Sequence, residues 1–512
     1  MLTKVFSATL QGLDAMPVTI EANITSGFRF NMVGLPDNAV KESQERVYSA
    51  LEVNGYQVLT RQIIVNLVPA DVRKEGSGFD LPLAVALLCG LEYIQPEGLE
   101  RYMFVGEVGL DGTLQPVKGA LPIAIKAREL GFECLFVPKA NEREAAVVNR
   151  LKVYGVNHIC EVIDFLKGEP TIQPTTVNTR EEFFAQQYDF GFDFDEVKGQ
   201  ENVKRAFEVA AAGGHNIILV GSPGCGKSMM AKRLPSILPP LSLAESLETT
   251  QVHSVAGKLS RDTSLISVRP FRSPHHTISD VALVGGGNQF MPGEICLAHN
   301  GVLFMDELPE FSRQVLETLR QPLEDRQITI SRARYNFTLP CSFMLVASMN
   351  PCPCGYHHHP THPCPCTPGQ IQRYMNKISG PLMDRFDIQV EVQSVPFEDM
   401  AKAPKGESSA TIRERVVRAR AIQERRYADV KGVHSNAQMT SSLLHQFAEP
   451  DAQGMERLRM AMQRLNLSAR AYDRILKVAR TIADLEGSEN VRDTHIAEAI
   501  GYRNLDRESW IE

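Results

Sequence analysis

Gly221-Ser222-Pro223-Gly224-Cys225-Gly226-Lys227-Ser228 follows directly on the apolar run Asn216-Ile217-Ile218-Leu219-Val220. That pattern is a phosphate-binding loop: the glycines let backbone N–H groups turn inward, Lys227 neutralises the outer phosphates, and the Ser228 hydroxyl joins the Mg2+ shell. A helix after the loop, for which Met229 to Leu234 is permissive, adds the attraction of its positive end. Hydrolysis further needs a carboxylate that positions the metal and a group that activates water. Gly301-Val302-Leu303-Phe304-Met305-Asp306-Glu307 supplies both at the end of an apolar strand. Asp306 is placed to hold Mg2+ through water, and Glu307 to polarise the attacking water. The next apolar run, Phe343 to Ser348, ends at Met349-Asn350. An amide there suits orienting the same water or sensing the γ-phosphate, although an Asn at a strand end is by itself a common structural cap. These residues imply a nucleotide hydrolase.

A second constellation is Cys352, Cys354, Cys364 and Cys366, within the Cys-, His- and Pro-rich stretch from Pro351 to Pro368. Two closely spaced pairs offer four soft ligands for a tetrahedral Zn2+. Single-residue spacing constrains the chelate more than two-residue spacing does, and His357, His358, His359 and His362 offer substitute ligands. A zinc site and a metal-free cysteine loop both remain open. The other six of the ten cysteines are scattered singly, so the chain has no disulfide framework.

Several elements must position these groups. Val18/Ile20/Ala22/Ile24 and Phe28/Phe30/Met32 recur every second residue, as half-buried strands do. A helix is expected from Asn38, with Val40, Val47 and Leu51 on one face and Asn54-Gly55 as its stop. Further strands are expected at Ile63–Val68, Met103–Val108 and Cys134–Val137, with helices after Gly78 and from Ala120. The first part of the chain therefore reads as a separate α/β domain. Glu169 to Gln187 has weak periodicity and reads as a linker. Beyond Val395 the pattern is mostly helical: Ile412, Val416 and Ala419 start one amphipathic helix, and Ile475, Val478, Ile482 and Leu485 fit another.

At 512 residues and 43% hydrophobic, the chain has room for two to four domains. Its formal net charge of −7 leaves polyanion binding only to local basic patches. Asp14 and Glu21 rule out a secretory signal in the opening segment, and no run reaches transmembrane length. A cytoplasmic location and no membrane partner are the expectation.

The phosphate loop with Asp306-Glu307 resembles the AAA+ ATPases. Arg269-Pro-Phe-Arg-Ser-Pro-His-His-Thr277, Pro292 to Gly301, Leu319-Arg-Gln-Pro-Leu-Glu324 and Asn350-Pro-Cys-Pro-Cys-Gly355 are similar to the magnesium-chelatase-like subgroup. Val105-Gly-Glu-Val-Gly-Leu-Asp-Gly-Thr113 and Val137-Pro-Lys-Ala-Asn141 are similar to the proteolytic domain of Lon, a ribosomal S5 domain 2-like fold. The two in this order identify the chain as resembling the ComM/YifB family. The implied α/β architecture is a Lon-protease-like domain at 1–168, a linker at 169–190, an AAA+ P-loop core at 191–395 with a helix insert and the 351–368 loop, and a helical lid at 396–512.

The resemblance implies further roles. Arg385, in Asp384-Arg385-Phe386-Asp387, matches the arginine finger that reaches a neighbouring subunit's nucleotide. Arg470 matches the lid arginine called sensor 2, with Arg474 a weaker candidate. Asp195, Val197, Gly199 and Gln200 match the segment around the adenine. Aligning the Lon serine motif puts Gly78 at the nucleophile, beside Ser77, and the lysine motif puts Leu121 at the lysine, near Lys118, so a proteolytic fold without proteolysis is expected. More chain separates Lys227 from Asp306 than a helix and a strand need. The family implies a β-hairpin insert there, made basic by Lys258, Arg261, Arg269, Arg272, His275 and His276. A second hairpin is expected over Ile328 to Leu339, with Arg332 and Arg334 near its tip. In a homo-hexamer such hairpins would line a pore and bind single-stranded or branched DNA. ATP and Mg2+ are the implied cofactors. The implied function is a DNA motor that drives branch migration and unwinding of branched DNA when incoming strands recombine in natural transformation. A chelatase-like or MoxR-like ATPase that remodels a protein partner is the alternative from another class, and an ATP-dependent protease is a third.

Overall fold

The computed structural model describes residues 2–503 apart from 59–60, 189, 288–289, 333–334, 358, 360, 395–404 and 466. The chain forms two compact units, residues up to Gln186 with Leu243–Ser267, and Gln187–Ser242 with Val268 onward.

The first unit is built on β1 (Leu2–Gln11), β2 (Asp14–Ser26), β3 (Phe30–Val33), β4 (Arg61–Val68), β5 (Tyr102–Phe104), β6 (Glu107–Val108), β7 (Leu114–Gln115), β8 (Cys134–Pro138) and β9 (Lys152–Val156). Seven of these form one sheet in the order β3-β4-β2-β1-β5-β8-β9, while β6 and β7 pair as a small hairpin. The expected alternation along β2 buries Val18, Ile20, Ala22 and Ile24. The helix Asn38–Val53 starts where Asp37 accepts the Val40 N–H at 2.8 Å, and it buries Val40, Val47 and Leu51. Two readings need correction. Phe28 is not part of a strand but stands 86% exposed before β3. The single strand expected over Met103–Val108 breaks after Phe104, because the chain turns away to pair β6 with β7. Within the stretch read as linker, Thr179–Gln186 is helical and buries Phe183.

The insert after the phosphate-loop helix does not begin as a basic hairpin. Leu243–Val255 is a helix of the first unit. It buries Val252 and Val255, Leu265 joins the same unit's core, and the Ser254 hydroxyl donates to Glu144 at 2.5 Å. The helix itself, LAESLETTQVHSV, holds no Lys or Arg, and the cations Lys258 and Arg261 follow it.

The second unit carries β10 (Ile217–Gly221), β11 (Phe271–Arg272), β12 (Gly285–Gly286), β13 (Met291–Pro292), β14 (Val302–Met305), β15 (Gln327–Arg332), β16 (Tyr335–Pro340), β17 (Met344–Met349) and β18 (Ile388–Val392). Five of them make a parallel sheet in the order β11-β14-β17-β10-β18. Their inner residues are buried continuously rather than alternately, as a sheet covered on both faces requires. A hairpin does interrupt the insert, but it is β12 with β13, which carries glycines rather than cations. The second expected hairpin is present as β15 with β16.

Helices Ser409–Arg426 and Ala469–Glu486 pack Val416, Ile475 and Ile482 into the same core as Ile217, Val302 and Val346. A buried polar network stitches them to the sheet. His215 Nδ1 lies 3.0 Å from Asp387 and its Nε2 lies 2.8 Å from the Thr481 hydroxyl. Asn436 donates to Thr481 and Asp484, and Arg426 and Arg480 pair with Asp484. Among the described residues no helix is long and apolar enough to cross a membrane.

Candidate functional site

Parallel pairing sets the site. Val220 lies beside Met349 and Met305 beside Ala347, so the loops leaving β10, β14 and β17 emerge at one sheet edge. Ligands of open parallel sheets bind at these carboxyl ends. The phosphate loop turns through Gly224 and Gly226, both with positive φ, into the helix Lys227–Arg233. Lys227 is 9% exposed, and its ammonium donates to Gly221 O at 2.7 Å, Ser222 O at 2.9 Å and Asn350 Oδ1 at 3.3 Å. Asn350 thus sits against the cation that would meet the outer phosphates.

Ser228 Oγ donates to Asp306 Oδ2 at 2.7 Å, and the Ser348 hydroxyl donates to Asp306 Oδ1. The two residues expected to share Mg2+ are therefore in contact, and the hard oxygen donors fit that ion. Glu307 adopts φ +54, a conformation that costs a non-glycine residue about 1–3 kcal/mol. The strained turn aims its carboxylate outward, where the side chain is 59% exposed and lies 3.7 Å from His276 Nδ1.

His276 was read as a DNA cation, yet it faces the candidate base. Its ring also lies against that of His275, tilted by 33° with centroids 4.1 Å apart. Arg269 donates to the carbonyls of Pro239, Pro240 and Asn300, and Arg272 forms a bidentate pair with Glu294 at 2.6 and 2.8 Å. Both guanidiniums hold the fold together. Arg332 lies on β15, and Arg334 lies outside the described residues.

Val197 is buried in the core and Gln200 takes a left-handed turn, its amide donating to Gln393 O. A cavity of about 490 Å³ opens nearby, lined by Asn202, Arg205, Gln389, Gln393, Glu498 and Tyr502.

Arg385 is 8% exposed and donates to Pro381 O at 2.6 Å and to the Glu324 carboxylate, while its buried Nε has no partner among the described residues. Burial lowers its pKa, and the charges of Arg320, Arg474 and Arg470 add to that. Arg470 is exposed and reaches Asp384 at 3.2 Å. Arg474 turns inward to Asp387, which is 1% exposed. Burial raises the Asp387 pKa, but Arg474 and His215 outweigh it and hold the carboxyl below its ordinary value. The two arginines therefore have different work. Arg474→Ala is expected to destabilise the protein by about 3–5 kcal/mol, since it strands a buried charge. Arg470→Ala is expected to cost under about 1 kcal/mol. Urea unfolding of both variants, alongside ATPase assays, checks this.

The four cysteine sulfurs lie within 4.8 Å of one another. Cys352–Cys354, Cys354–Cys364 and Cys352–Cys364 measure 3.3, 3.5 and 3.7 Å. A tetrahedral zinc with Zn–S of about 2.3 Å needs sulfurs about 3.8 Å apart, so the donor set fits. Burial opposes the Cys354 thiolate, but the Tyr356 N–H and the adjoining thiols outweigh it and bring that thiol down to about 7. The loop bears on the nucleotide site. A Cβ on Gly355 would lie 2.5 Å from Pro223 Cδ, so only glycine allows this approach. Ser222 Oγ bonds Ser394 Oγ at 2.9 Å, and Ser394 lies 3.5 Å from His359 Nε2.

In the first unit, the positions aligned with a Ser-Lys pair do not form one. Ser77 donates to Glu107. Lys74 is wholly buried, its ammonium held by the carbonyls of Pro69 and Val72. Leu121 is buried in the core and Lys118 packs against Gly257.

Sequence reasoning missed Ser348 and Glu324. A hydroxyl one strand over from Asp306, and an acid in the Leu319–Glu324 segment, were the available signals.

The parallel sheet, phosphate loop and paired acids define a P-loop α/β protein of the AAA+ type. Family models agree: magnesium chelatase subunit ChlI matches residues 193–400, subunit ChlI of Mg-chelatase matches 20–141, and the ChlI C-terminal model matches 406–503. The chain is 42% identical over 511 residues to the uncharacterized protein YifB of Escherichia coli, covering 99% of this chain and 98% of that one. It is 42% identical over 509 residues to competence protein ComM of Haemophilus influenzae, covering 99% and 98%. The magnesium-chelatase 38 kDa subunit of Cereibacter sphaeroides is 23% identical over 219 residues, 40% of this chain and 59% of that one. The chain belongs to the ComM/YifB family of magnesium-chelatase-like AAA+ proteins.

Proposed function

We propose that the protein is an Mg2+-dependent ATPase that works as a hexameric ring moving branched DNA. The contact of Ser228 with Asp306, beside Glu307 and Lys227, carries the ATPase reading. In this reading Lys227 neutralises the β- and γ-phosphates, Ser228 and Asp306 hold Mg2+, Glu307 polarises water, and Asn350 orients it. Arg385 completes the site of a neighbouring subunit, and Arg470, held by Asp384, reports nucleotide state from the lid. The cavity beside Gln200 suits the base, and Arg332 on β15 contributes to the pore. Full-length similarity to a competence protein favours DNA as the substrate over a protein partner. A forked or three-stranded DNA given with ATP tests this. Strand exchange by the wild type, absent in Glu307→Gln, is expected. DNA that neither stimulates ATPase nor is unwound would instead favour a chelatase-like remodeller, which the three chelatase family models support.

Cys352, Cys354, Cys364 and Cys366 would hold a structural zinc that braces the loop behind Pro223. Cys352→Ser with Cys364→Ser is expected to lose zinc and to weaken ATP binding by about tenfold. Metal analysis and nucleotide titration check the two effects separately. Metal-free protein with full ATP affinity would sink the coupling.

A further inference from the structure

The first unit exposes an aromatic ring where the fold does not need one. Between β2 and β3 the segment Gly27-Phe28-Arg29 crosses the start of β4. It is pinned there. A Cβ on Gly27 would lie 2.7 Å from Gln62 Cβ, and the Ile63 N–H donates to Arg29 O at 2.7 Å. The Phe28 ring nevertheless stands 86% exposed, forgoing the roughly 1.5–3 kcal/mol that burying a Phe side chain supplies. Arg29 follows it directly, and Arg61 is paired across the strands with Ser26 at the same end of the sheet. Both arginines are exposed, and neither forms an ion pair or a side-chain hydrogen bond among the described residues.

We infer that Phe28, Arg29 and Arg61 form a contact site for single-stranded nucleic acid. A flat ring held out on a fixed backbone is what an unpaired base can stack on, and two arginines at the same end of the sheet, without a partner among the described residues, suit the phosphates that flank such a base. A duplex conceals its base faces, which selects the single strand. At net charge −7 the chain as a whole does not attract a polyanion, so two exposed arginines without a partner among the described residues, near an exposed Phe28 in the chain, are a local departure from the whole. The site gives the first unit a part in holding a displaced strand. This rests on the DNA-motor reading.

Binding of a fluorescein-labelled oligothymidylate to the full chain, with a non-hydrolysable ATP analogue and over a salt series, tests it. Phe28→Ala is expected to bind about ten- to a hundredfold more weakly, and Phe28→Trp to bind as the wild type does. Arg29→Gln with Arg61→Gln is expected to reduce the slope of log K against log salt by about 1.4. ATPase measured without DNA and ring size should be unchanged in all three. If the wild type binds the oligonucleotide and all variants match it, the strand lies elsewhere and the inference fails while the motor reading stands. If the wild type binds neither this oligonucleotide nor forked DNA, both fall. Variants that change ring size without changing oligonucleotide affinity would make the face a contact between copies of the chain, and overturn the inference.

Discussion

Glu307→Gln is expected to bind ATP as the wild type does and to hydrolyse it about a hundred- to ten-thousandfold more slowly. The substitution keeps shape and removes only the carboxylate that, in the proposed mechanism, would accept a proton from water. Its side chain is 59% exposed, so little packing is at stake. The backbone N–H of Glu307 lies 3.4 Å from Ser348 Oγ, a contact that the glutamine retains. Phosphate release and fluorescent-nucleotide titration separate the two quantities. Equal losses of affinity and rate would assign Glu307 to binding rather than to chemistry. Asp306→Asn provides the contrast. Asp306 accepts from both Ser228 and Ser348, so its change is expected to alter Mg2+ dependence as well as rate. His276 faces Glu307 from the loop after β11, and its effect on the same rate reads how far that contact restrains the base.

The phosphate loop and the acidic pair were legible because their chemistry is local. Eight consecutive residues specify the loop, and a buried strand ending in Asp306-Glu307 specifies the other half. The parallel sheet was legible for a related reason: strands covered on both faces read as continuous apolar runs, as Ile217–Val220 and Val302–Met305 do. What the sequence hid was the destination of side chains across the chain. Arg269 and Arg272 look like free cations in a line of text. Only the fold brings Glu294 and the carbonyls of Pro239, Pro240 and Asn300 to them. Leu243–Ser267 was misread for the opposite reason. A few cations drew attention, while its buried Val252, Val255 and Leu265 determine where it packs. Phe28 fitted a strand's alternation, but alternation cannot tell that the chain is already crossing to the next strand.

Arg385→Ala is expected to lower ATPase activity by about a thousandfold or more and to leave ATP binding in place. Its guanidinium bonds Pro381 and Glu324 of its own chain and keeps an Nε without a partner among the described residues. Arg320, Arg470 and Arg474 press on it, and burial already disfavours its charge. Such a site gains from an arriving anion, and in the proposed ring a neighbour's γ-phosphate would supply one as its charge develops in the transition state. Mixing decides whether the arginine works across subunits. Arg385→Ala retains an intact phosphate loop, whereas Lys227→Ala retains the arginine. Each is expected to be inactive alone, but in the proposed ring a mixture of both would place an intact Arg385 beside an intact loop at some interfaces. Recovered phosphate release on mixing is the expected result. Coassembly without recovery would mean that Arg385 serves its own subunit, and the Glu324 pair would then be a structural clamp.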